Sequence, residues 1–160
     1  MSQWRALDDG QLRTVVDKLL GADRLLVSVP ATAAARELGW KVVKIVPHTV
    51  LTTDPGYGVG DAGASLPLDD QDRAIAILVD VTESTVDAGP AAKAFQQDTF
   101  AAASQVLTRT YGPPTAREPG EQPEIWWRRE TVTLKLRIGW LSVELELDRN
   151  EDVDQPEEYL

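Results

Sequence analysis

The residue types that most often carry catalysis are scarce in this chain. The 160 residues include no cysteine and one histidine, His48, which excludes disulfides, a cysteine nucleophile and any site that needs two imidazoles. His48 follows a predicted strand, and a lone imidazole without a nucleophile beside it is more often structural than catalytic. Asp80 and Glu83, at the end of another predicted strand, could form a carboxylate pair for acid–base work, but capping and turn formation explain both. We therefore predict no catalytic residue and no enzymatic activity.

A glycine pattern typical of dinucleotide sites also occurs. Gly58, Gly60 and Gly63 have the Gly-x-Gly-x-x-Gly spacing of that fingerprint. The chemistry needs a strand before the first glycine and a helix that opens at the last one, so that backbone amides and the helix dipole meet the pyrophosphate. The flanking segments, 52–55 and 65–67, indicate neither element. We predict a flexible loop here and no cofactor.

Acidic residues cluster close to these glycines. Asp69, Asp70 and Asp72, with Asp54 and Asp61 before them, offer the oxygen ligands that calcium or magnesium prefers. Neither EF-hand spacing nor a suitably placed bidentate glutamate accompanies them, so we predict a solvated acidic loop and no metal. The formal net charge of −10 argues against a nucleic-acid partner; it favours a basic protein partner, or serves solubility alone. Asp69, Asp70 and Asp72 are therefore candidate contacts for such a partner.

Two tryptophans stand side by side in the last third of the chain. Adjacent residues of a strand face opposite ways. If Ile125 and Trp127 face the helices, Trp126 projects outward beside Arg128, and exposed Trp and Arg are favoured at protein interfaces. The alternative is that Trp126 covers the second face of the sheet or stacks under Arg128. Trp126 and Arg128 are our candidate interface residues.

The elements that must position these residues follow from hydrophobic periodicity. Asp8 is a good N-cap for a first helix, and Gln11 three residues later completes a capping box. The apolar stripe of that helix consists of Leu12, Val15, Val16, Leu19 and Leu20. A short alanine-rich helix over 32–38, ended by Gly39, follows it.

Strands and one long loop follow the two helices. The segment 40–46 predicts a strand in which the β-branched Val43 and Ile45 are buried on at least one side. Glycines, prolines and acids dominate 52–72, which we interpret as a long mobile loop. The apolar run over 73–81 is typical of a central strand.

The last third of the chain predicts the end of a long helix and then three antiparallel strands. Gly112-Pro113-Pro114 ends the helix, and the strands follow over 125–128, 130–138 and 141–147. The last two strands alternate strictly between apolar and polar residues, which indicates one buried and one open face.

A tight turn should join those two strands. A type II′ turn at Gly139-Trp140 suits the glycine at its first position and sets Lys135 opposite Glu144. A turn at Ile138-Gly139 instead keeps the same faces but loses that charge pair.

These elements combine into an α+β fold. We expect one antiparallel sheet of about five strands with helices packed on one face, in the order α-α-β-β-α-β-β-β. A single domain would span 1–147, and 148–160 would form an acidic, partly disordered tail. No segment approaches the roughly 20 apolar residues of a membrane helix, and acids stand where a signal peptide needs its apolar core. We therefore expect a cytoplasmic protein with no membrane partner.

The order of several short motifs resembles a known family. Glu37-Leu38-Gly39-Trp40, a strand ending at Asp80-Val81, the run 107–114 and Trp127-Arg128 follow one another along the chain. This order resembles a small actinobacterial family of unknown function, over most of the chain. The resemblance implies no catalytic residues. Families of this size and acidity often include toxin-immunity proteins, which is what the resemblance implies about function.

Together these features predict a binding function. We expect a non-catalytic protein-binding domain, namely an immunity protein whose acidic surface occludes the active site of a basic toxin, with Trp126 contributing to affinity. The alternative is a chaperone or adaptor for a secreted protein, which would recognise an extended or helical segment. A third possibility is an enzyme that uses the 52–72 loop as a lid. The sequence does not predict the oligomeric state.

Overall fold

A computed structural model of the chain describes residues 4–60, 62–85, 89–120, 122–139 and 141–154. The described helices are α1 (Asp9–Leu20), α2 (Ala31–Leu38), α3 (Pro90–Tyr111) and α4 (Asn150–Val153). The described strands are β1 (Lys41–Val46), β2 (Val50–Asp54), β3 (Ala64–Pro67), β4 (Ala76–Asp80), β5 (Ala116–Glu118), β6 (Glu124–Arg128), β7 (Val132–Ile138) and β8 (Val143–Arg149). They form one antiparallel sheet in the order β1-β2-β3-β4-β8-β7-β6-β5.

The predicted α+β class with an antiparallel sheet is confirmed, but the predicted strand number and order are wrong. The described chain has eight strands rather than about five, in the order α-α-β-β-β-β-α-β-β-β-β-α. The missed strands are β2, β3 and β5, which have only five, four and three residues. Segments this short give little alternation, and glycines, prolines and acids next to β2 and β3 indicate a loop, so pairing with neighbouring strands orders them instead.

The interpretation of 52–72 as a loop is wrong where β2 and β3 lie. These strands pair with Leu51 opposite Leu66, and both side chains are fully buried. The connection between the strands also reaches the core through Val59, which is 4% exposed. The stretch is therefore largely a packed hairpin, whose sheet partners rather than its composition decide its structure.

The first helix forms as the sequence predicts. Asp8 Oδ1 accepts a hydrogen bond from the Gln11 amide at 2.8 Å, and Gln11 Oε1 accepts one from the Asp8 amide at 3.0 Å, so the capping box is confirmed. Leu20 is half-buried, and the fully buried residues of the stripe are Leu12, Val15, Val16 and Leu19. α1 packs on α3, which in turn covers β7 and β8. Among the described helices, none is long and apolar enough to span a membrane.

The β7–β8 hairpin keeps its predicted faces but shifts in register by two residues. Ile138 pairs with Val143, so four residues, 139–142, separate the strands instead of two. The start of β8 is fixed there because the carbonyl of Val143 accepts the amide of Val81 at 2.8 Å. A shift of two leaves every side chain on its original face. Trp140 of the predicted turn lies outside the described residues.

The charge partners across this hairpin change with the register. Lys135 faces Glu146 rather than the predicted Glu144, and its ammonium lies 2.9 Å from Asp148. Glu144 pairs with Arg137 instead, at 2.7 Å. The basic residues of β7 therefore still match the acids of β8, but through other pairs.

The chain remains folded beyond the predicted domain end. Asn150, at the start of α4, is buried, and its side chain accepts a hydrogen bond from Thr133 Oγ1 at 2.6 Å. Its Nδ2 donates to the carbonyl of Arg129 at 2.8 Å. The prediction of a tail is therefore wrong for 148–154, while 155–160 lies outside the described residues.

Candidate functional site

β1 lies at one edge of the sheet and is its most exposed strand. All six residues of β1 are exposed, and β2 is its one described neighbour in the sheet. Val42, Val43, Ile45 and Val46 are four of the five large apolar side chains that are exposed in the described structure. Val43 is 50% exposed and Ile45 43%, so the prediction that both are buried is wrong. An edge strand also leaves a row of backbone amides and carbonyls without a sheet partner.

The helix layer does not cover the inner face of β1. Val42 and Ile45 lie opposite Thr53 and Leu51 of β2, both of which are fully buried on the core face of the sheet. α2 is in contact with β1 and β2, and its buried residues are Ala31, Ala34, Ala35 and Leu38. Because most of these side chains are single methyl groups, they leave Val42 and Ile45 in contact with solvent.

Two lysines and Val46 occupy the other face of β1. Lys41 and Lys44 lie opposite Asp54 and Thr52, and the register shifts between Val42 and Lys44. The extra residue is Val43, which forms a β-bulge. In the part of the chain that the structure describes, neither lysine forms an ion pair. β1 therefore offers two free cations beside its apolar side chains.

Two of the predicted acidic contacts hold turns: Asp72 holds the turn that follows β1, and Asp69 holds the turn over 69–73 that follows β3. The backbone amide of His48 donates to Asp72 Oδ1 at 2.6 Å, and both residues have left-handed φ values, 61° and 59°. Asp69 Oδ1 accepts the amides of Gln71 and Arg73 at 2.9 Å each, and its Oδ2 lies 2.9 Å from Arg73 Nε. These bonds, led by the amide of Arg73, lower the pKa of Asp69.

The three predicted acidic contacts are thus not equivalent. Asp72 uses its carboxylate to shape the turn at His48 and Asp69 uses its own to shape the turn over 69–73, whereas Asp70 is exposed and takes part in no described side-chain hydrogen bond. Their part in partner binding stays a prediction. Across the described residues, no group of three or more acidic or histidine side chains is arranged to hold a metal ion.

Trp126 lies on the open face of the sheet, which is the orientation that the sequence predicts. Ile125 and Trp127 on either side of it are buried, and Trp126 itself is half-buried. Lys135 Nζ lies 4.7 Å from the centre of its ring, a cation–π contact, and its indole N–H donates to the carboxylate of Glu124. The cation over the ring is therefore Lys135, not Arg128.

Arg128 is engaged within the chain. Its Nη1 and Nη2 donate to the two carboxylate oxygens of Asp154 at 2.8 and 2.7 Å, and these hydrogen bonds lower the pKa of Asp154. β6, which carries Arg128 and Trp126, is the second strand from the edge opposite β1. The structure therefore does not bring these two residues together with Asp69, Asp70 and Asp72.

A partly buried row of charges crosses β7 and β8, and sequence reasoning recognised only part of it. Arg137 lies 2.7 Å from Glu144 and 2.5 Å from Glu146, and Lys135 lies 2.9 Å from Asp148. Burial, and then the neighbouring Asp148, raise the pKa of Glu146 to about 7. Burial and the neighbouring carboxylate therefore disfavour the ionised form of Glu146, and the described ion pairs of the row are all internal to the hairpin.

Asp80 extends this row on β4. It lies opposite Glu144, and burial together with that charge raises the pKa of Asp80 to about 6. Ser142 Oγ donates to its carboxylate at 3.2 Å. Glu83 has a different partner, because its carboxylate accepts the backbone amide of Arg5 at 2.6 Å. Asp80 therefore contacts β8 and the residue before it, whereas Glu83 contacts the segment that precedes α1.

The glycine pattern lies in the connection between β2 and β3. Gly63 is followed by β3 rather than by a helix, so the described segment lacks the helix N-terminus that would meet a pyrophosphate. Asp61 of the pattern lies outside the described residues. An open cleft of ≈ 540 Å³ beside this connection is lined by Arg5, Asp54, Gly56, Gly58, Gly60 and Glu83. Two carboxylates accompany its one arginine, which does not favour a phosphate.

Comparison with known proteins supplies a family. The chain matches no curated protein and no solved structure. One family model, described as a family of unknown function (DUF6301), matches residues 11–149, a range that contains all eight described strands. The resemblance to a family of unknown function is thereby confirmed, while the actinobacterial origin and the immunity role stay predictions. The chain belongs to the family of unknown function DUF6301.

Proposed function

We propose that the chain is a protein-binding domain that accepts an extended segment of its partner as a strand added to β1. The observation that carries the proposal is the edge itself: six consecutive exposed residues, four of them large β-branched apolar side chains. A segment that pairs with such an edge gains main-chain hydrogen bonds and buries apolar surface at the same time.

Protection against aggregation does not explain this edge. Lysines and bulges on edge strands prevent pairing with other chains. β1 has both, in Lys41, Lys44 and the bulge at Val43. These devices discourage indiscriminate pairing, but they give no reason to keep the apolar side chains exposed. Selective pairing with a matching strand accounts for the protective and the apolar residues together.

The expected affinity is moderate. Each of the four apolar side chains is already about half-buried, so covering the rest contributes on the order of 1 kcal/mol per side chain. Main-chain hydrogen bonds add about 1 kcal/mol each, and ordering the partner segment opposes both gains. We expect a dissociation constant on the order of micromolar for a short segment.

The roles predicted from the sequence fit this proposal unequally. A chaperone or adaptor recognises an extended segment, which is what an edge strand accepts. Occlusion of a basic toxin site rests on the net charge of −10 and on residues of which Arg128 and Asp69 already have internal partners. The geometry therefore favours the adaptor or chaperone role, and the immunity and enzyme roles stay predictions.

Selection from a library of displayed extended peptides tests the proposal. The immobilised chain should enrich peptides with alternating apolar residues. Ile45→Asp should weaken the binding of an enriched peptide at least about tenfold, because it places a charge in the centre of the apolar strip. Titration calorimetry of the purified variants measures this change.

Leu141→Asp is the matched control. Leu141 is 44% exposed, almost the same as the 43% of Ile45, but it lies outside β1. The control should bind enriched peptides as tightly as the wild type does, and circular dichroism should show both variants folded. If no peptides are enriched, or if the two variants lose equal affinity, the proposal is wrong.

A further inference from the structure

We infer that the segment bound at β1 is acidic on one face and apolar on the other. The inference rests on the proposed function and specifies the chemistry of the partner. It depends on the way the bulge at Val43 sorts the side chains of β1 between the two faces of the sheet.

The bulge makes β1 amphipathic. In a regular strand, residues three apart face opposite ways. Because Val43 is an extra residue, Lys41, Lys44 and Val46 share one face, and Val42 and Ile45 share the other. A strand added outside β1 would place its side chains opposite these two sets.

Of the two lysines on this face, one has an acidic residue opposite it on β2 and the other does not. Lys41 has Asp54 across from it on β2, whereas Lys44 has Thr52. Within the described residues neither lysine forms an ion pair. Opposite charges facing each other across two strands stabilise their pairing. Acidic side chains on the incoming strand therefore complement this face, most strongly opposite Lys44.

The apolar face requires a different side chain. Val42 and Ile45 continue the buried layer formed by Thr53 and Leu51, yet both remain exposed at its margin. Apolar residues of an added strand would extend that layer outward by one strand. The matching segment therefore alternates acidic and apolar residues.

A second copy of the chain matches this edge less well. Antiparallel pairing of two β1 strands would bring four lysines into one two-stranded ribbon, two from each copy. Like charges facing each other destabilise such a ribbon. The formal net charge of −10 on each copy adds repulsion between the molecules. The net charge alone favours a basic partner, so the preference for an acidic segment over a second copy rests on the local charges of Lys41 and Lys44.

Three end-blocked synthetic octapeptides test the inference, with valine alternating with glutamate, serine or lysine. Each cross-strand charge pair changes affinity about 1.5- to 5-fold. The glutamate peptide should therefore bind at least about fivefold more tightly than the lysine peptide, and 0.5 M salt should narrow the difference. Lys44→Glu should remove most of the preference, because it leaves one lysine and one glutamate on this face of β1. Lys93→Glu, an equal charge change at an exposed position on α3, should preserve it.

The outcomes separate this inference from the proposed function. If all three peptides bind equally to wild type and to Lys44→Glu, and Ile45→Asp abolishes that binding, the partner is not selected by acidity but β1 is still the binding edge. If sedimentation shows a dimer that Ile45→Asp dissociates, a second copy occupies β1 and the inference is wrong. If none of the peptides binds and display selection also enriches nothing, both proposals fail.

Discussion

β1 and β8 belong to the same sheet but distribute apolar and charged side chains in opposite ways. β8 buries Val143, Leu145 and Leu147 completely, and its acids pair with the basic residues of β7. β1 exposes its apolar side chains, and its lysines have no ion pair in the described chain. At the centre of the sheet the charged side chains are paired with one another within the fold. At this edge the apolar side chains stay exposed, which is the basis of the proposed strand binding.

The opposite edge of the sheet shows that an exposed apolar strand is not a general consequence of edge position. β5 has three residues, Ala116–Glu118, two of which are charged. Short length and charge are common ways to protect an edge. The β5 edge is therefore short and charged, whereas the β1 edge is twice as long and exposes four large apolar side chains.

The largest expected effect compares the two strands by alanine substitution. Leu145→Ala should lower the free energy of unfolding by about 2–5 kcal/mol, because Leu145 is fully buried and its removal leaves a cavity. Ile45→Ala should cost less than about 1 kcal/mol, because Ile45 is already in contact with solvent. Urea denaturation of both variants measures the difference. Equal losses would mean that Ile45 belongs to the core and would remove the basis of the comparison.

The sequence predicts the burial of the apolar residues of β8 but not the exposure of those of β1. The alternation over 130–138 and 141–147 is local, so it predicts β7, β8 and their buried faces. Register is not readable from that pattern, because a shift of two residues preserves both faces. Lys135 therefore pairs with Asp148 rather than with the predicted Glu144.

The exposure of β1 depends on contacts that are distant in sequence. A β-branched run predicts a strand, but sheet order decides whether a second neighbour covers it. Lys41 and Lys44 within that run were the local indication of an edge strand, since lysines are typical of edge strands. Arg128 illustrates the same limit, because its partner Asp154 follows it by 26 residues.

A second prediction uses the pH dependence of the charged row. The pKa of Glu146 is about 7 in the folded protein, against an ordinary value of 4.5. A raised pKa means that the folded state binds the proton more tightly, so this stabilisation is present below about pH 4.5 and is lost as the pH rises to about 7. The pKa of Asp80 is raised from 3.8 to about 6, so Asp80 also contributes stability that is lost as the pH rises between these two values.

Glu146→Gln should therefore flatten the fall in unfolding free energy between about pH 4.5 and 7. Lys44→Gln is the control on β1 and should leave the slope unchanged. Denaturation curves at several pH values provide the measurement. A wild-type slope that persists in Glu146→Gln would show that the row does not titrate as described.

The smallest effect concerns two buried tryptophans, one beside β1 and one on β6. Trp40 is 4% exposed, and its indole nitrogen has no hydrogen-bond partner among the described residues, whereas Trp127 Nε1 donates to the Gly112 carbonyl at 3.0 Å. Trp40→Phe removes an unpaired donor, so it should change stability by less than about 1 kcal/mol. Trp127→Phe leaves a carbonyl without its donor and should cost more. Thermal melts compare the two variants, and equal costs would mean that Trp40 has a partner.

Backbone amide exchange tests the central claim most directly. Exchange rates of the β1 and β5 amides are measured by NMR in the free protein and with a saturating enriched peptide. If β1 accepts a strand, its outward-facing amides become protected in the complex, while the amides of β5 keep their free rates. Protection on β5 or around Trp126 and Arg128, with none on β1, would contradict the claim that β1 is the binding edge.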